Sequence, residues 1–393
     1  MDDFLGDDDS EVLVQRTQLH GVAPFPTWNG TIAAAAASGS ADGRCSVLCE
    51  NGDVVVLQAL QDETHAHAAI VSQVSGLQVE KILRPPISDR VASLCQCWSS
   101  DGSIFVTAHD RRVTFYSATD DFRSLLMVQL KFAVTSMDIA RQSSADDGQI
   151  PYLLTVGTAF GAHLYSVELF TQPNQQGDSS AVESLTPLAS VYEEIPICLV
   201  KFSHDGTTIA LGSVDGRLYI RGALVPHDGI FGSQLVAKVL AAPRVTSISF
   251  SPCDRRLAVA TRKGNVFVLT QVSPGGAWQQ HLPCRELTSN PKPVASRGSS
   301  SAAATAMQTL MCWWSPAVLV VASRAANYRL EMVDFSSGKL LHTLQILAQP
   351  AATNAHLLTG ICCVQFSNGR ANLVCHDTNS SLSVVTWPLL DVL

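Results

Sequence analysis

Residues 200–220 read VKFSHDGTTIALGSVDGRLYI, and residues 248–268 read ISFSPCDRRLAVATRKGNVFV. The two align without a gap at a constant offset of 48 residues. Phe202 falls on Phe250, Ser203 on Ser251, Ile209 on Leu257, Ala210 on Ala258 and Gly216 on Gly264. Each copy has the same order. An alternating apolar run ends in an aromatic residue and Ser, a polar turn follows, and a second apolar run ends in small residues. A tight turn then leads into a third apolar run. Runs of about five to seven residues have the length of strands, not of helices. His204-Asp205-Gly206 and Asp215-Gly216 supply residues that tolerate turn geometry. Each copy therefore predicts a three-stranded meander, with room for a fourth strand before the next.

The same order recurs more loosely. Residues 91–116 carry Trp98-Ser99 at the aromatic-Ser position, residues 307–333 carry Trp314-Ser315, and residues 361–385 carry Phe366-Ser367. Residues 134–167 form another copy, with a polar insertion around Asp146-Asp147-Gly148, and residues 31–57 the weakest one. In the weakest copy the alanine run 33–37 is read as a tolerant strand. These make seven copies, whose second turns fall near Gly52, Asp110, Gly161, Gly216, Gly264, Asn327 and Asn379. Their mean spacing of about 54 residues exceeds the ~40–45 of a compact four-stranded repeat. Ser-, Gly- and Pro-rich stretches such as QPNQQGDSSAVES and TSNPKPVASRGSSSAAATAM account for the excess and are read as exposed or mobile connections.

Composition agrees with stacked sheets. Of 393 residues 46% are apolar and only 15% charged, below the typical quarter, as expected where strands are covered on both faces. A net charge of −8 argues against a broad grip on nucleic acid, which wants a basic stripe. The N-terminal MDDFLGDDDSEV is acidic and does not read as a signal peptide. No stretch approaches the ~18 apolar residues of a spanning helix. Eleven cysteines, scattered mostly through apolar runs, read as reduced buried thiols. Together these place the chain in the cytoplasm, with a nuclear or a cytoskeletal or ciliary assembly as alternatives.

One such meander cannot bury its own faces, whereas radial stacking lets each cover the next. Here FSHDG…LGSVDGRLYI and FSPCDRRLAVATRKGNVFVL resemble WD40 repeats. The resemblance covers nearly the whole chain and implies an all-β fold: a seven-bladed β-propeller of four-stranded antiparallel blades. No copy ends its third strand in Trp-Asp and none has Gly-His before its first. Asp215, with Ser213, is the best remnant of the family's hydrogen-bonded network. Residues 1–10 are read as a disordered acidic tail and 11–393 as the propeller. Residues 11–18, EVLVQRTQ, alternate like a strand, and are predicted to supply the outer strand of the last blade and so complete the ring.

No phosphate loop, nucleophile elbow or paired CxxC appears, so no catalytic residue, cofactor or metal is assigned. Cys95 and Cys97 share one face of a predicted strand and read as packers, with a shared metal as the alternative. His65 and His67, near Asp62 and Glu63, offer a second metal alternative without further ligands fixed by spacing. The adjacent Cys362 and Cys363 read as buried, with a redox role as the alternative. His204-Asp205 occupies a turn slot and not an acid–base site. In the acidic head, Phe4 and Leu5 are candidate anchors of a short linear motif.

The resemblance implies that partners dock on the face built from the loops into first strands and the turns between second and third strands. Those positions hold Arg90, Glu194 and Arg244, and Asp110, Arg111, Arg262 and Lys263. Arg side chains there suit bidentate bonds to an acidic peptide. The expected role is a non-enzymatic scaffold, a monomeric chain within a hetero-complex of proteins. A regulator or nucleotide-exchange factor of a small GTPase in vesicle trafficking is the second reading, and a phosphoinositide-binding propeller the third. For that third reading the strings Asp110-Arg111-Arg112-Val113 and Asp254-Arg255-Arg256-Leu257 lack the flanking aromatic and Gly.

Overall fold

The computed structural model describes residues 14–17, 32–38, 40, 42–59, 77–84, 94–141, 152–173, 179–222, 234–239, 244–261, 265–273, 277–280, 285–286, 310–323, 329–345, 358–366, 371–377 and 382–386. Strand β1 (Val14–Thr17) comes first. The first sheet follows, with β2 (Ile32–Ala37), β3 (Arg44–Cys49), β4 (Val54–Ala59) and β5 (Leu77–Leu83). The second holds β6 (Leu94–Trp98), β7 (Ile104–His109), β8 (Arg112–Ser117) and β9 (Arg123–Gln129). The third holds β10 (Ser136–Arg141), β11 (Tyr152–Thr158), β12 (Gly161–Pro173) and β13 (Ser179–Val191). The fourth holds β14 (Ile197–Phe202), β15 (Thr208–Ser213), β16 (Arg217–Gly222) and β17 (Gln234–Val239). The fifth holds β18 (Val245–Phe250), β19 (Arg256–Thr261), β20 (Asn265–Gln271) and β21 (Trp278–Gln280), with β22 (Arg285–Glu286) also on β20. The sixth holds β23 (Leu310–Trp313), β24 (Val318–Ser323), β25 (Arg329–Asp334) and β26 (Lys339–Gln345). The last holds β27 (Leu358–Gln365), β28 (Ala371–Asp377) and β29 (Leu382–Thr386), and β1 pairs antiparallel with β29, Val14 opposite Val385.

This is an all-β propeller of four-stranded antiparallel blades. The 48-residue offset survives in the strands: β14, β15 and β16 start at 197, 208 and 217, and β18, β19 and β20 at 245, 256 and 265. Even an irregularity repeats. The register of the first pair slips between Ile197 and Leu199 in the fourth sheet and between Val245 and Ser247 in the fifth. Such bulges add twist at a strand's start.

The core lies between the sheets, not within any one. Alternate residues of a strand face opposite sides, so one second strand feeds two clusters. Val318, Val320 and Ala322 of β24 pack with Leu373 and Cys375 of the last sheet. Leu319 and Val321 pack with Ala258, Ala260 and Val268 of the fifth. Ile209 and Leu211 face the third sheet while Ala210 faces the fifth. The last and first sheets share a cluster as well, with Cys362, Val364 and Phe366 against Cys45, Val55 and Leu57. Gly43 N donates to Gln365 O at 3.0 Å across the same boundary. A polar tie joins the third and fourth sheets. The nearly fully buried Asp138 carboxylate accepts from Lys201 Nζ at 2.8 Å and from Phe202 N at 2.7 Å.

In the second and fourth sheets the turn after the first strand uses a Ser two residues before an acceptor: Ser99 with Asp101 and Ser203 with Asp205, both at 2.6 Å. Asp101 also accepts from Ser103 Oγ at 2.8 Å and, from the third sheet, Tyr152 OH at 3.0 Å. Burial alone would raise the Asp101 carboxyl, but the bonds from Ser99, Ser103 and Tyr152 outweigh it and hold it below its ordinary value. A depressed carboxyl contributes stability that is fully present above its unfolded pKa of ~3.9 and is lost as pH falls through the folded value. Asp101→Asn should therefore cost about 1–2 kcal/mol at pH 7 and flatten the acid limb of stability below about pH 5. Denaturant midpoints measured from pH 7 downward check this. Curves for the variant and the parent that stay parallel into acid would contradict it.

The alanine run is a strand, β2. The stretch QPNQQGDSSAVES, expected as a connection, is instead mostly paired: β12 runs to Pro173, β13 begins at Ser179, and Gln172 faces Ser180. Ser and Thr read as loop formers by composition, yet here they extend an existing ladder, where each further residue gains backbone bonds without a new loop to close. The second such stretch, TSNPKPVASRGSSSAAATAM, lies outside the described residues.

Candidate functional site: an aromatic groove between two blades

The turn between second and third strands, and the connection into the next sheet's first strand, lie at the same end of each meander. At that end, between the second and third sheets, a groove of about 730 Å³ opens. Three loops build it. The β9–β10 connection brings Lys131 and Phe132, the β11–β12 turn brings Phe160, and the β13–β14 turn brings Glu193 and Glu194. His163 of β12 and Ser190 of β13 complete the wall.

Aromatic rings form the floor. Phe132 lies 4.8 Å from Phe160 between centroids and 5.4 Å from the His163 ring, which it stacks on at 22°. Phe160 is 54% exposed, an apolar ring left on a tight turn. The Lys131 ammonium sits 4.9 Å from the Phe132 centroid. His163 Nδ1 lies 2.8 Å from Ser190 Oγ and Nε2 lies 3.3 Å from Thr158 Oγ1. Burial pushes the His163 pKa down, Glu193 opposes this and Lys131 adds to it; the net shift is downward, which favours the neutral ring.

The carboxylates are held by backbone. Tyr192 and Glu194 both adopt positive φ, 55° and 79°, and Ile195 N donates to Tyr192 O at 2.9 Å, closing the turn. Such residues cost energy and persist where surroundings over-determine them. Here Tyr192 stacks on Tyr219 at 4.0 Å between centroids, and its hydroxyl accepts from Arg221 at 3.1 Å. The β11–β12 turn comes close to it at Gly161, whose φ is 108° and where a Cβ would meet Tyr192 O.

The residues expected to bind partners divide. Glu194 stands on the groove's rim. Asp110 and Arg111 do not line it but position it: Val134 N donates to Asp110 O and Leu130 N to Arg111 O, both at 2.7 Å, which braces the connection carrying Lys131 and Phe132. Arg244 lies away from the groove, beside Cys198 of the fourth sheet; burial raises that thiol to about 11 although Arg244 pulls it down. Arg90, Arg262, Lys263, Phe4, Leu5, His65 and His67 lie outside the described residues.

The other candidates are turn and core groups. The Asp254 carboxylate accepts from His204 N, Asp205 N and the His204 ring at 2.8, 2.9 and 2.7 Å, linking two turns of neighbouring sheets. Ser213 Oγ donates to Asp215 within one turn. Cys95 and Cys97 pack in the cluster between the second and third sheets, and burial pushes the Cys95 thiol up to about 12. Burial, with Cys362 adding to it, does the same to Cys363. The Arg pairs of the phosphoinositide reading sit at different turns, Arg111-Arg112 after a second strand and Arg255-Arg256 before one.

Phe132, Phe160, His163, Lys131 and Glu193 were not singled out from the sequence. The available signal was Phe160 itself, an aromatic residue between Ala159 and Gly161 where turns carry polar residues. What the groove offers chemically is recognition through apolar contact, cation–π attraction and ion pairing.

No protein-family model matches the chain, and no curated protein matches it. Among solved structures it is similar to the β-propeller domain of Cps50 (Swd1) from Myceliophteria thermophila. That likeness has 13% identity and a TM-score of 0.57, over 92% of this chain and 99% of that one. At such identity the likeness concerns the fold. Among the described residues no helix is long and apolar enough to cross a membrane.

Proposed function

We propose that the protein is a protein-interaction scaffold of WD40 type, a subunit of a multiprotein assembly. The observation that carries this is the groove: an exposed aromatic ring, and two carboxylates on a turn whose Tyr192 and Glu194 hold positive φ. Concave sites that combine an apolar lining with a few charged groups are where ligands and partners bind. The test is capture on the tagged full-length chain, with sedimentation of the native protein. The expected result is a particle well above the 42.0 kDa of one chain, with a partner lost on Phe160→Asp while the fold is kept. Sedimentation as a lone chain with nothing captured would overturn the reading.

The frame itself is read as seven blades in one closed ring, latched by β1. Supporting this are the pairing of β1 with β29 and the apolar cluster shared by the last and first sheets. Removing residues 1–20 should lower stability by about 2 kcal/mol, the net worth of a few lost ladder bonds. Removing residues 1–9 should change it little. Equal effects of the two deletions, read from denaturant midpoints, would contradict the latch.

A further inference from the structure

Resting on the scaffold reading, we propose that the groove between the second and third sheets takes a Lys or Arg side chain from an extended segment of a partner protein. Three observations converge on a cation. The floor is aromatic, with Phe132 and Phe160 at 4.8 Å offering ring faces, and a cation is attracted to such faces. The chain's own Lys131 ammonium already lies 4.9 Å from the Phe132 centroid, so the ring is placed to receive one. Glu193 and Glu194 also line the groove and are exposed, and among the described residues neither makes an ion pair or hydrogen bond.

The charge balance decides against an anion. One ammonium and two carboxylates line the groove, and burial disfavours a charge on His163. An acidic segment would meet net repulsion, and a purely apolar one would leave both carboxylates unpaired beside it. Strands β9 and β13, the outer strands of their sheets, flank the opening. A segment lying along them can send one side chain inward between the rings and the carboxylates.

The experiment uses the full chain and four pools of random nine-residue peptides whose central residue is Arg, Lys, Leu or Glu. The expected result is retention of the Arg and Lys pools. The best peptide from them should bind about tenfold more weakly to Glu193→Gln/Glu194→Gln and to Phe160→Ala. It should bind a few-fold more tightly to Lys131→Met, which removes the competing ammonium. These side chains are on the surface, and an unchanged melting temperature for each variant separates binding from folding. Preferential retention of the Leu or Glu pool, with loss on Phe160→Ala, overturns the cation assignment and leaves the scaffold reading standing. Retention of Arg peptides that ignores the Glu193→Gln/Glu194→Gln change also overturns it. If no pool is retained the assignment falls, and the capture experiment decides separately whether the scaffold reading falls with it.

Discussion

Phe105→Ala should lower the stability of the protein by about 4 kcal/mol, the middle of the range for a buried aromatic. Phe105 is completely buried, and its ring lies 4.8 Å from Trp98, 6.2 Å from Tyr116 and 6.4 Å from Phe122. The cost of such a deletion depends on how far the surroundings can collapse into the space. Here they are poorly able to. Trp98 is pinned by Nε1 donating to Ser46 Oγ at 2.9 Å across the sheet boundary, and the remaining neighbours include Leu48, Val54 and Val56 of the first sheet. The measurement is the denaturant midpoint at unchanged slope. Phe105→Leu, which refills part of the volume, should recover more than half of the loss. A loss under about 1 kcal/mol for Ala would mean that this boundary packs differently, because a fully buried ring between two sheets cannot be deleted so cheaply.

Gly161→Ala should cost about 3 kcal/mol and weaken binding in the groove. Two effects add. At φ 108° an L side chain is strained whatever the space. In addition a Cβ there would lie 2.6 Å from Val191 O and 2.9 Å from Tyr192 O, both backbone atoms. Those atoms belong to the turn that carries Glu193 and Glu194, so relief of the overlap must move the carboxylates. Gly338→Ala separates the two effects. Gly338 has φ 70° but nothing within 4 Å of its would-be Cβ, so only backbone strain remains, about 1 kcal/mol. Thermal or chemical denaturation of the pair measures the difference. Equal losses would show that the turn-on-turn contact does not constrain the groove.

The legible part of the fold was the repeat. Strand boundaries at a 48-residue offset follow from alternation and turn chemistry, both of which are local. The all-β architecture follows because each meander has two apolar faces to hide, as Val318 to Ala322 display by serving two different clusters. The long β12–β13 hairpin was not legible, because Ser and Thr pair readily once a ladder exists and composition alone assigns them to loops. The site was legible only at its edge. Glu194, Asp110 and Arg111 were singled out by their place in the repeat, and each touches or braces the groove. The pairing of Phe132 with Phe160 is not legible, because they are 28 residues apart in sequence and nothing local says that their rings meet.

By itself, the sequence determined the three-stranded repeat with its 48-residue offset, and that the apolar faces of its strands must be covered by neighbours. Those properties reside in short-range periodicity and in turn residues with particular backbone preferences. Only the tertiary structure decided that a connection from one sheet, a turn of the next and the turn beyond it converge on one groove. That convergence depends on packing between sheets and on backbone contacts such as Val134 N to Asp110 O, which join residues without any periodic relation in the chain.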